Sequence, residues 1–158
     1  MAKPYPKKGM PAKKLKQAIK RTPIKKKRVE KERNLMDLFV RIWTERKPGS
    51  QFVKREYMSM EEWYEHTKQY RVCCVTYKPI KNMVPGSFAH VLTRNHTRYR
   101  EKDFNVVLLS YDYDTNVHGC FDHGTKMDFL KLGPGAKYLL EYQQFLKQQY
   151  EHEKNSIF

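Results

Sequence analysis

The spacing of apolar residues changes several times along the chain, and each change predicts a different element. Leu35, Leu38, Phe39, Ile42 and Trp43 recur at steps of three, four, seven and eight, the stripe of an amphipathic helix. That helix is expected from about Val29 to Arg46, ending before Lys47-Pro48-Gly49. Ser59-Met60-Glu61-Glu62 has the order of a capping box. It predicts a second helix running to about Tyr70, with Met60, Trp63, Tyr64 and Thr67 turned inward. Arg71 to Tyr77 is β-prone, and 78–86 reads as a connection. Two short apolar runs follow, Phe88-Ala89-His90-Val91-Leu92 and Phe104-Asn105-Val106-Val107-Leu108-Leu109, separated by a polar loop; both predict strands. Asp114, His118 and Asp122 then stand four apart and would share one helix face. Gly119 is an alternative end to that helix, which would leave His118, Asp122 and His123 in a loop. After Gly133-Pro134-Gly135, the 136–150 stretch places Tyr138, Leu139, Tyr142, Phe145 and Leu146 on one side. This predicts a C-terminal helix packed on the core and fraying after Glu151. The pattern as a whole is that of an α+β protein.

The first 28 residues break the pattern: Lys-rich, with prolines at 4, 6, 11 and 23, they hold too little apolar surface to fold alone. The expected organisation is a basic arm over 1–28 and one domain over 29–158. Charge is distributed the same way. Of the net +15, residues 1–33 carry 14 Lys or Arg against 2 Glu, while the other 125 residues carry 18 basic and 15 acidic groups. Each cation set on a phosphate releases counterions, so such an arm favours nucleic acid without sequence preference. A membrane-binding arm would need bulky apolar residues on one face. No apolar run reaches the ~20 residues of a membrane span, and the N-terminus lacks the apolar core of a secretory signal. Three cysteines, Cys73, Cys74 and Cys120, make no disulfide framework and suit a reducing, cytoplasmic setting.

Candidate chemistry concentrates between Ser87 and Asp122. Imidazole at His90 can accept a proton near neutral pH, as a base for water attack on phosphorus must. A lone histidine at a strand end is more often a satisfied core residue. Asn105, at the start of the second run, is by itself ordinary turn chemistry. Asp114 and His118, one helical turn apart, can chelate a cation, Asp suiting Mg²⁺ or Mn²⁺, or can simply form a solvated stripe. Neither a Gly-rich phosphate loop nor a Ser-His-Asp arrangement is present.

Phe88-Ala89-His90-Val91-Leu92, then Arg98-Tyr99-Arg100, then Asn105-Val106-Val107-Leu108-Leu109 resembles the ββα-metal motif of HNH endonucleases, and most of all small phage HNH proteins, including phage recombination nucleases. The likeness extends loosely over 20–46, where Lys20-Arg21-Thr22-Pro23-Ile24-Lys25-Lys26-Lys27 precedes a short helix ending near Trp43, and more specifically over 71–125. It implies an HNH-like core at about 87–122 with flanking N- and C-terminal helices. It implies His90 as general base, Asn105 as the residue that positions loop and base, and a third member on the helix. The family's usual spacing lands on Asp114, with His118 one turn later. The catalytic set expected is therefore His90, Asn105 and His118, with Asp114 and His118 holding a single Mg²⁺ or Mn²⁺. Arg94, Arg98 and Arg100, with Lys20, Arg21, Lys25, Lys26 and Lys27 of the arm, would contact nucleic acid, DNA foremost.

The departures from the family are systematic. Many relatives hold a zinc with two CxxC pairs. Here Thr76 replaces the mate of Cys73, and the second pair falls on Ser110 and Tyr113, so no structural zinc is expected. Ala89 stands where relatives often have a metal ligand. Two functions are carried forward: a metal-dependent DNA endonuclease, and a catalytically degenerate binding or assembly protein built on the same fold.

Overall fold

The computed structural model describes residues 23–112 and 116–156, with side chains from Arg28 onward. The protein is α+β, with five helices and one two-stranded antiparallel sheet among the described residues. By contacts the chain divides into two units, 1–35 and 36–158. Helix α1 (Pro23–Glu45) begins six residues before the expected start at Val29. Proline suits a first helical turn, where its missing N–H has no partner to lose, and lysine is a good helix former. Lys25, Lys26 and Lys27 therefore belong to α1, whereas Lys20 and Arg21 lie outside the described residues.

Helix α2 (Met60–Thr67) starts as its capping sequence predicts, Ser59 Oγ accepting from the Glu62 N–H at 3.1 Å. It ends three residues short of the expected Tyr70. Trp63 and Thr67 are buried with His66, while Met60 and Tyr64 are only half-buried. The C-terminal helix, α5 (Ala136–Asn155), is longer than expected and does not end at Glu151. Its inner face is Tyr138, Leu139, Tyr142 and Leu146; Phe145, expected inward, is 47% exposed. Trp63 stacks on Tyr138 with centroids 6.0 Å apart, and Tyr64 on Tyr142 at 4.7 Å, which joins α2 to α5.

The β-prone stretch 71–77 forms no strand. Tyr77 N–H donates to the Cys73 carbonyl and Cys73 N–H to that of Lys78, closing a turn in which Tyr77 takes a positive φ of 65°. Thr76, in place of a second cysteine, donates its N–H to Cys73 Sγ at 3.5 Å. Val72, Cys73, Cys74 and Val75 are buried, so burial rather than strand pairing accounts for their apolar character. This turn meets the start of α5 closely. A Cβ on Gly135 would stand 1.9 Å from the Cys74 carbonyl oxygen, so no other residue fits there.

Strands β1 (Phe88–His90) and β2 (Val106–Leu108) pair with Phe88 opposite Leu108, Ala89 opposite Val107, and His90 opposite Val106. A lone hairpin is marginal in water, and this one is buried on both faces. Ala89, Val91, Val107 and Leu109 face the main core with Trp63, Phe129 and Leu139. Phe88, Val106 and Leu108 alternate to the other face, where Phe39 of α1 stacks flat on Phe88, centroids 4.5 Å apart and planes 9° from parallel. By the same register His90 lies on the Phe39 side. Helices α3 (Val117–His123) and α4 (Lys126–Leu130) follow the sheet. Among the described residues no helix is long and apolar enough to cross a membrane.

Candidate active site

His90 ends β1, with its ring 6.2 Å from that of Phe39. Its Nε2 lies 3.0 Å from the carbonyl oxygen of Arg100. A carbonyl only accepts, so Nε2 carries the hydrogen and the lone pair resides on Nδ1. Burial lowers the pKa of His90 below the ordinary value; the Arg100 carbonyl opposes this, and the charges of Arg94, Arg100 and His118 add to the lowering. At neutral pH the ring is therefore a neutral base with a defined tautomer.

The Arg100 carbonyl belongs to the 93–103 loop, and that loop is fastened by Asn105. Asn105 stands one residue before β2 and is 0% exposed. Its Oδ1 accepts from Leu92 N–H at 2.8 Å, and its Nδ2 donates to the carbonyls of Leu92 (3.1 Å) and Tyr99 (3.2 Å). The amide thus fastens the start of the loop at Leu92 and its interior at Tyr99, next to Arg100, whose carbonyl orients His90. Buried amides are costly unless paired, so this set of bonds is a strong local constraint.

Helix α3 supplies the remaining polar groups. Asn116 caps it, Oδ1 accepting from Gly119 N–H at 2.7 Å, and His118 N–H donates to the Ser110 carbonyl at 3.2 Å, tying the helix to the end of β2. Gly119 does not end the helix. It leaves room for the cap, since a Cβ there would meet the Asn116 side-chain nitrogen at 2.6 Å. His118 and Asp122 lie one turn apart, with Nε2 and Oδ2 separated by 3.1 Å, and His118 Nδ1 is held by the Gly86 carbonyl. Both partners of this ring are acceptors, and a neutral imidazole has one hydrogen to give. With Nδ1–H donated to the Gly86 carbonyl, the Nε2 lone pair faces Asp122 Oδ2, an arrangement of two donor atoms that a cation between them would satisfy together.

A cleft of about 510 Å³ opens at the His118–Asp122 pair, lined by Phe39, Phe88, Arg94, Tyr111, His118 and Asp122 among others. His90 does not line it; its ring packs against that of Phe39, which does. The expected site residues are distributed as follows. His90 and Asn105 are joined through the 93–103 loop, whereas His118 and Arg94 line the cleft. Arg98 is exposed and turned to the Tyr150 ring, 5.5 Å away. Arg100 contributes its carbonyl, while its Nε is buried without a partner among the described residues. Asp114 lies outside the described residues; within α3, His118 and Asp122 stand one turn apart. Asp122 had no assigned role from sequence; its i, i+4 spacing from His118 was the signal that could have given it one. Among the described residues no three His, Cys, Asp or Glu side chains converge as a metal cluster. Comparison of the chain with family models, with curated proteins and with solved structures finds no match.

Proposed function

We propose that this protein is a metal-dependent endonuclease of the HNH type acting on DNA, with a ββα-metal core formed by β1, β2 and α3. The observation that carries this reading is the linkage of three groups: His90 oriented through Nε2 by the Arg100 carbonyl, that loop fastened by buried Asn105, and the His118–Asp122 pair at the adjoining cleft. His90 Nδ1 accepts no hydrogen bond among the described residues, which leaves its lone pair free to take a proton. In the reaction, His90 Nδ1 takes a proton from water, and the resulting hydroxide attacks phosphorus in line with the leaving 3′ oxygen. Arg94 holds a flanking phosphate. The basic N-terminal segment provides sequence-independent affinity.

His118 and Asp122 fit a divalent ion. Two neighbouring donors on an octahedral ion at about 2.1 Å stand about 3 Å apart, close to the 3.1 Å between Nε2 and Oδ2. Mg²⁺ commonly takes one or two protein ligands and completes its shell with water and phosphate, and imidazole extends the choice to Mn²⁺. Once bound, such an ion supplies charge stabilisation at the scissile phosphate and leaving oxygen.

The test is nicking of supercoiled and oligonucleotide DNA with Mg²⁺ or Mn²⁺, and its loss in His90→Ala. Full activity in that variant removes His90 as the base. Salt-sensitive DNA binding without cleavage by the wild type in Mg²⁺, Mn²⁺, Ni²⁺ or Zn²⁺ replaces the nuclease reading with that of a binding or assembly protein on the same fold.

A further inference from the structure

Two cavities meet at one aromatic ring. Tyr111 lines the candidate active-site cleft and also a second groove of about 360 Å³. That groove is lined by residues of the 78–84 segment, Lys78, Lys81 and Asn82 among them, and by Asp112. The proposed chemistry uses none of these residues.

Tyr111 is pinned on one side. Its ring lies so close over Gly86 that a Cβ there would come within 2.7 Å of Tyr111 Cδ1. The ring also meets His118 edge-on, centroids 6.1 Å apart at 66°. Even so, Tyr111 is 52% exposed. A core tyrosine would be covered, and a purely solvated one would not be seated on a glycine. A ring held in place with part of its surface open is well suited to stacking a nucleobase, because its own freedom is already restricted and every base offers a π-face. Bases in a duplex are stacked on one another, so this contact selects an unpaired strand. The charges agree: Lys78 and Lys81 are exposed, and Asp112 is the one acid among the described residues that line the groove.

We propose that the cleft continues past Tyr111 into the Lys78–Lys81 groove as a track for a single-stranded nucleic-acid segment, one base stacking on Tyr111 and neighbouring phosphates resting on the two lysines. This rests on the nuclease reading of the cleft and gives it a substrate class: a strand unpaired beside the point of cleavage.

The test uses the full chain without metal and a short single-stranded DNA carrying one 2-aminopurine, whose fluorescence is quenched on stacking. Wild type and Tyr111→Phe quench it and bind with affinities within about twofold of each other, since both keep the ring. Tyr111→Ala loses the quench and between about 5-fold and about 100-fold in affinity. Lys78→Ala with Lys81→Ala weakens binding and flattens the log–log salt dependence by about 1.4. Tyr111→Leu, which keeps an apolar contact with Gly86, guards against misfolding and behaves as the alanine variant does. Wild-type quenching and affinity in a folded Tyr111→Leu or Tyr111→Ala protein overturn the track. Because metal is absent, this result is independent of cleavage: a wild type that never cuts defeats the nuclease reading alone, and unaltered strand binding in a protein that does cut defeats the track alone.

Discussion

Asn105 grips Leu92 by two opposed hydrogen bonds, Oδ1 accepting from its N–H at 2.8 Å and Nδ2 donating to its carbonyl at 3.1 Å. The side chain thereby acts as an extra rung between the strand ends, and its second hydrogen reaches Tyr99 across the loop. Asn105→Ala leaves the buried N–H and carbonyl of Leu92 without partners, each worth about 1–3 kcal/mol when unsatisfied, while the Tyr99 carbonyl keeps the Lys102 N–H. A loss of about 2 kcal/mol or more is expected in urea unfolding. Asn105→Asp keeps the acceptor but has no hydrogens for the two carbonyls when ionised, and is expected to be at least as destabilised at pH 7. A cost under about 0.5 kcal/mol, the size of an ordinary surface change, would show that the loop is held by other means.

His90 links pH to stability and, under the proposed mechanism, to rate. Its folded-state pKa lies below its ordinary value, burial being the main cause. The unfolded chain therefore binds the proton more readily, so stability rises with pH here. The contribution is complete above the unfolded value of about 6.5 and declines as pH falls through the lower folded value. Wild type should lose stability below about pH 6.5 more steeply than His90→Gln, a comparison made by urea titration across that range. Under the proposed mechanism the cleavage rate follows the same protonation, rising to a plateau as Nδ1 becomes free.

His118 and Asp122 are expected to act as a pair. If they hold an ion, His118→Ala and Asp122→Ala each weaken Mn²⁺ binding by at least about tenfold, and the double variant is little worse than either single one, since the residues share one partner. Electron paramagnetic resonance of free Mn²⁺ gives the affinity directly. Additive losses, or none, would mean that the 3.1 Å contact is only a hydrogen bond.

Phe39 joins α1 to the sheet by stacking on Phe88, and it also walls the cleft beside His90. Phe39→Ala removes a buried ring and should cost about 3–5 kcal/mol. Phe39→Leu should cost less, because it restores most of the lost volume. Thermal unfolding of the two variants makes the comparison; equal melting temperatures for Phe39→Ala and wild type would falsify the packing role.

Gly135→Ala is the sharpest test of the core geometry. Its Cβ would lie 1.9 Å from the Cys74 carbonyl oxygen, a backbone atom that cannot swing aside. Low soluble yield or a drop in melting temperature of ten degrees or more, the effect of about 3 kcal/mol in a domain of this size, is expected from circular dichroism.

Much of the secondary structure was legible because it rests on local physics. Ser59 with Glu62 marked the start of α2, the Gly133-Pro134-Gly135 break marked the start of α5, and two apolar runs marked β1 and β2. Ends were less legible. Helix α5 continues to Asn155 and α1 reaches back to Pro23, since lysine, glutamate and glutamine extend a helix without an apolar stripe to announce it. The 71–77 stretch read as a strand because β-branched and apolar residues mark burial as readily as pairing. Its turn depends on Lys78 and Cys73 closing on each other.

Residue types and spacing by themselves determined the α+β character, the basic N-terminal segment, and the placing of His90 at a strand end, Asn105 before the next strand and His118 four residues from Asp122. Those follow from short-range period and composition. What only the tertiary structure decided are the partners: the Arg100 carbonyl on His90, the Tyr99 carbonyl on Asn105, Gly86 beneath Tyr111 and Phe39 against Phe88. Two of these contacts are made through backbone carbonyls, which every residue has and no sequence pattern distinguishes. The others bring together segments more than twenty residues apart, and what joins them is the folding of the chain around its buried hairpin.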